Sequence, residues 1–187
     1  MTGSSSSPIL EACVETIQQG LLAENNHADR IEFCHRLDQG GVTPDHDLIR
    51  TAVNTIKIPI KIMIRPRGGD FIYSDLEVDK MKSDIRYCKS IGVEEIVLGA
   101  LNKKGGVDYK LTQILAKLAI PMKVTFHKAI DAVNNFMNSL KTLSTMENID
   151  SVLTSGTKEN ALAGKEYIKL ASKEFSGLLN IIAAGSI

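Results

Sequence analysis

The sequence predicts an α/β fold: a parallel β/α barrel of the TIM type that runs short after its seventh strand. Three observations predict it. Seven short runs rich in Ile, Val and Leu alternate with six longer amphipathic segments, and such alternation implies parallel strands joined by crossovers. The stretch following the first run, Cys13-Val14-Glu15-Thr16, holds no glycine, which argues against the dinucleotide-binding turn of a doubly wound open sheet. The units also recur at regular spacing, as a closed barrel requires.

Residues 1–8 are small and polar and are expected to form a disordered lead-in, leaving 9–187 as a single barrel domain. The strand-length runs are 9–14, 30–34, 58–64, 94–98, 122–126, 151–153 and 179–183. The helical segments between them are 16–24, 45–54, 74–91, 109–118, 135–145 and 160–176. In 74–91, for example, Leu76, Met81, Ile85, Cys88 and Ile91 fall on one apolar stripe. A complete barrel needs eight units and typically about 250 residues. With 187 residues and seven strand signals, the sheet is expected to expose two edges, which a homo-oligomer would cover.

Composition narrows the function. Hydrophobic residues make up 43% and charged residues 24%, as in ordinary globular domains. The 22 Lys and Arg balance the 22 Asp and Glu, so no nucleic-acid or membrane-surface partner is expected. No run approaches the roughly 20 apolar residues of a membrane-spanning helix. Three cysteines (Cys13, Cys34 and Cys88) without zinc-site spacing or a secretory signal fit a reduced, cytoplasmic setting.

The strand ends carry the chemistry, because active sites of such barrels lie at the C-terminal face. Alternation along a strand puts Glu11 with Cys13, Glu32 with Cys34, and Met63 with Arg65 on one face. Their neighbours Leu10, Ala12, Ile31, Phe33, Ile62 and Ile64 are apolar and suit the layer beneath the helices. The charged set therefore points into the barrel, where burial is costly without partners. It forms either a structural ion network or an acid/base and anion-binding site. In the second case Glu11, Glu32 and His127 are the catalytic candidates, and Arg65 and Arg67 hold the anion in bidentate fashion. The run Arg65-Pro66-Arg67-Gly68-Gly69-Asp70 also has a plainer reading, a charged turn whose arginines pair with Asp70 or the inward glutamates. Cys13 and Cys34 occupy equivalent places on adjacent strands and are either packing residues or a soft donor pair suited to Cu(I), with Met63 nearby.

Several stretches together go further. Glu11 through Val14, Ala28 through Cys34, Gly40 through Pro44, Met63 through Phe71 with Tyr73-Ser74-Asp75, Val124 through Asp131, and Leu153 through Gly156 occur in order along nearly the whole chain. In these motifs the chain resembles the CutC family of copper-homeostasis proteins. The resemblance implies a TIM-type barrel, a cytoplasmic setting, and a role in copper handling with Cys13 and Cys34 as the copper-binding cysteines. It implies no established reaction. His127-Lys128-Ala129-Ile130-Asp131 stands where the family usually has His-Arg-Ala-Phe-Asp. Two functions are thus expected: Cu(I) binding through cysteines at the barrel mouth, or an enzyme acting on a small carboxylate or phosphate metabolite.

Overall fold

A computed structural model describes residues 8–186. Apart from Pro8, the expected lead-in lies outside the described residues. Seven strands alternate with six helices: β1 (Glu11–Val14), α1 (Ile17–Asn25), β2 (Arg30–Phe33), α2 (His46–Thr55), β3 (Ile60–Met63), α3 (Asp75–Ser90), β4 (Glu95–Leu98), α4 (Tyr109–Ala119), β5 (Lys123–Phe126), α5 (Phe136–Ser144), β6 (Ile149–Thr154), α6 (Lys165–Glu174) and β7 (Asn180–Ala183). The strands form one parallel sheet in the order β1-β2-β3-β4-β5-β6-β7. The sheet curls into a half-barrel, and β1 and β7 are not hydrogen-bonded to each other.

Local chemistry sets the helix starts. Thr16 and Gln19 form a capping box at α1, Ser74 and Glu77 form another at α3, and Asp108 and Asn135 cap α4 and α5. The last helix begins later than its sequence pattern, at Lys165 rather than 160. Residues 160–164 instead make turns that seat Gly164 against the backbone of Ser155, where an added Cβ would lie 1.8 Å from the Ser155 carbonyl oxygen.

The core between sheet and helices is apolar. Outward-facing Ile31, Phe33, Ile62, Ile64, Ile96, Leu98, Val124 and Phe126 belong to one buried cluster with Ile49, Met81, Ile85, Cys88, Leu115 and Leu140 from the helices. Burying each large side chain stabilises the fold by roughly 1.5–3 kcal/mol. Cys88 serves this packing.

The inner face is different. Parallel pairing sets Cys13 beside Glu32, Glu32 beside Lys61, Lys61 beside Glu95, and Glu95 beside Lys123. From β2 to β5 the charges in this row alternate in sign. One level above, Cys34, Met63 and Val97 form a small buried apolar group.

Candidate functional site

The charged layer is held by Lys61, which strand alternation places on the same face as Met63 and Arg65. Its ammonium lies 3.2 Å from Glu11 Oε2, 3.5 Å from Glu95 Oε2 and 3.0 Å from Thr125 Oγ1. Arg30 donates to Glu11 through Nε. Glu11 sits at the start of β1, opposite Arg30, and belongs to this ion network; it does not line the mouth. Lys61 and Arg30 were detectable by the same alternation that singled out Glu32 and Cys34.

The thiols of Cys13 and Cys34 stand 3.8 Å apart although the two residues occupy different levels. Cys34 is fully buried, with the Met63 side chain packed in the same group, while Cys13 is exposed on the sheet edge. Gly41, at φ +82°, lets the loop after β2 close over Cys34: a Cβ there would come within 3.3 Å of the sulfur. Both cysteines are free thiols. Cys13 also donates weakly to Glu32 Oε1 at 3.5 Å. Hydrogen bonding with Cys34, then the partial burial of the Cys13 sulfur on the inner face of its strand and the nearby Glu32 charge, push the Cys13 thiol pKa upward. Among the described residues no group of three or more His, Cys, Asp or Glu is arranged to hold a metal ion, so any metal at this point relies on the sulfur pair.

At the mouth a cavity of about 70 Å³ is lined by Glu32, Gly40, Met63, Arg65, Phe71, His127, Lys128 and Leu153. Glu32, Arg65 and His127 are thus brought together, whereas Glu11, which the strand-end reading places with them, lies at the start of its strand beside Arg30. Glu32 is 5% exposed, Arg65 4% and His127 3%. Burial, and then the charge of Glu11, raises the Glu32 carboxyl to about 7. Burial, and then the Arg65 guanidinium, lowers His127 to about 3, so its imidazole is neutral at physiological pH. The ring has its place because β4 continues into Gly99, where a Cβ would fall 2.5 Å from the imidazole.

The two arginines do different work. Arg65 Nη1 donates to the carbonyls of Gln39, Gly40 and Gly41 at 3.0, 3.1 and 2.9 Å, and Nη2 to that of Gly69 at 2.8 Å. One guanidinium therefore ties the loop after β2 to the loop after β3, and its Nε is left over. Its face rests on Phe71, 4.8 Å from the ring centroid, and Phe71 in turn meets His127 at 5.0 Å. Arg67 lies outside the cavity wall. It donates to Glu77, Gly68, Asp70 and Ile72, and so fastens its own loop in the manner of the charged-turn reading.

Beside the cavity, Asp131 binds the β5 and β6 loops together. It accepts from Thr154 Oγ1 at 2.5 Å, from the backbone N–H groups of Ser155 and Thr157 at 2.9 Å each, and from Lys128 at 3.0 Å. Burial acts to raise its pKa, but these donors outweigh it and keep the carboxylate below its usual range.

The architecture coincides with that of a known protein. The CutC family profile matches residues 8–187. The chain belongs to the CutC family. The human copper homeostasis protein cutC homolog is 40% identical over 185 residues, which is 99% of this chain and 67% of the human protein. A CutC family protein from Pasteurella multocida is 39% identical over 178 residues, covering 95% of this chain and 72% of its own length. The solved structure of CutC from Streptococcus agalactiae superposes with a TM-score of 0.86 at 27% identity, over 93% of this chain and 86% of that one. This CutC chain therefore shares its curled β/α sheet with a solved relative.

Proposed function

We propose that this chain acts in copper homeostasis by binding Cu(I) as cargo between Cys13 and Cys34. The observation that carries this reading is the 3.8 Å separation of two free thiols on adjacent strands. Metal–thiolate bonds are about 2.3 Å, so two sulfurs opposed across an ion stand up to about 4.6 Å apart. A movement of under an ångström admits the metal. Thiolates are soft donors that favour Cu(I), whereas structural Zn(II) sites want four ligands. Each thiol must lose its proton to bind, so loading releases protons and tightens as pH rises. A reducing cytoplasm keeps both cysteines in the required state.

In a competition titration against a Cu(I) chelator, Cys13→Ser and Cys34→Ser should each weaken Cu(I) binding by at least about tenfold, roughly 1.4 kcal/mol. Unchanged affinity in both variants would dismiss the sulfur pair.

We also infer that β1 and β7, each with one strand neighbour among the described residues, are covered by a second copy of the chain, because unpaired strand edges invite pairing. Light scattering should then return about twice the 20.4 kDa chain mass. A monodisperse monomer would overturn this.

A further inference from the structure

Three residues that line the mouth cavity each carry a buried polar atom without a hydrogen-bond partner among the described residues: Glu32 Oε2, Arg65 Nε and His127 Nε2. Buried polar groups are paired in nine cases of ten or more, and leaving one unpaired is costly. Three on one small wall call for a common partner.

The chemistry of each atom defines that partner. His127 Nδ1 accepts the backbone N–H of Ala129 at 3.2 Å, which puts the ring proton on Nε2 and makes it a donor. Arg65 has spent Nη1 and Nη2 on loop carbonyls, so Nε–H is a second free donor. Glu32 Oε2 suits a hydroxyl in either protonation state, accepting from it as the carboxylate and donating to it as the acid. Lys128 is paired with Asp131, so Arg65, whose Nη groups meet backbone carbonyls and no carboxylate, supplies the positive charge that suits a single negative charge on the ligand. Met63, Phe71 and Leu153 form the apolar remainder of the wall. One water needs about 10–15 Å³ of such space, so the roughly 70 Å³ available corresponds to about five water-sized positions. That limits the occupant to a molecule of about five or six non-hydrogen atoms, two or three of them carbon.

We propose that the cavity lined by Glu32, Arg65 and His127 binds a short 2-hydroxy monocarboxylate, with its carboxylate on the Arg65 and His127 N–H groups and its hydroxyl on Glu32. The site adjoins the sulfur pair through the weak Cys13–Glu32 hydrogen bond, but it does not rest on the copper reading. Its wall includes Met63 but neither cysteine.

The test uses glycolate, L-lactate and D-lactate as probes, with pyruvate as the analogue lacking the hydroxyl. Each is titrated into the whole chain while the His127 Nε2 resonance is followed by nitrogen-15 NMR. At least one hydroxy acid should shift that resonance saturably and bind at least about tenfold more tightly than pyruvate. His127→Phe should lose the binding by a similar factor, read by calorimetry. Leu153→Phe, which fills the cavity and removes no polar group, should lose it as well and covers the case in which His127→Phe fails to fold. Cys13→Ser should keep it. Failure of all three hydroxy acids to bind, equal binding of pyruvate, or full binding by a folded His127→Phe or Leu153→Phe chain would overturn the proposal. Loss of binding in Cys13→Ser would overturn the separation of the two sites, while loss of Cu(I) binding alone would leave it standing.

Discussion

Replacing Lys61 with methionine should destabilise the fold by about 3–5 kcal/mol, the usual consequence of removing one partner from a buried ion pair. Lys61 is 0% exposed. Its ammonium stands between Glu11 and Glu95 and also donates to Thr125. Methionine keeps the aliphatic stem, so the loss reports charge and hydrogen bonding and leaves little cavity effect. Glu11 retains Arg30 after the change, but Glu95 faces Lys61 as its ion-pair partner among the described residues and is left alone. Chemical denaturation would show a lower midpoint at unchanged slope. Adding Glu95→Gln to the same chain should return part of the loss, because it removes the stranded carboxylate. A deficit below 1 kcal/mol for Lys61→Met would mean that the desolvation cost of the network nearly equals its attraction.

The second large effect concerns acid. His127 holds its proton only below about pH 3 in the folded chain, against an ordinary value of 6.5. Between those limits the unfolded chain binds one more proton than the folded one, so stability falls as pH falls. Relative to His127→Phe, the wild-type chain should therefore lose roughly 1.4 kcal/mol for each pH unit below about 6.5. Above that value both states carry a neutral imidazole and the difference between the two proteins is flat. Urea unfolding of both at pH 7, 6, 5 and 4 measures it directly. Parallel stability curves across that range would show that the folded chain accepts a proton at His127.

Much of this arrangement is legible in the sequence, and the residues that escape it do so for identifiable reasons. Period-two alternation suffices to turn Glu32, Cys34, Met63 and Arg65 inward, and strand-end position suffices to bring His127 to the same opening. Glu11 shares that alternation, but its apolar run starts before the paired strand does. It therefore enters the sheet at the bottom, opposite Arg30. Arg67 finds Asp70 and Glu77 within its own loop and helix, partners visible in the local sequence. Arg65 is captured by carbonyls of residues 39–41, more than 20 positions away, and backbone acceptors leave no mark on composition or pattern. Lys61 shows the opposite failure. Its inward direction follows from alternation, yet a lysine inside a strand is easily taken for a solvent-facing residue until its partners on β1 and β4 are known.

The open sheet has a consequence for how the chain comes together and apart. Paired strands begin at Glu11 and Arg30, Ile31 and Ile60, Lys61 and Glu95, Glu95 and Lys123, Val124 and Ile149, and Ser151 and Asn180. Each pairing closes a chain segment of similar, moderate length, and among the described residues no strand pairing joins the two ends of the sheet. The entropic penalty for loop closure is thus met in small, nearly equal steps. Cooperative opening in turn begins where a strand has one neighbour and reaches the doubly flanked strands last. Cys13 lies on such an outer strand and Cys34 on the next one in, so the two sulfurs belong to regions that differ in resistance to local unfolding.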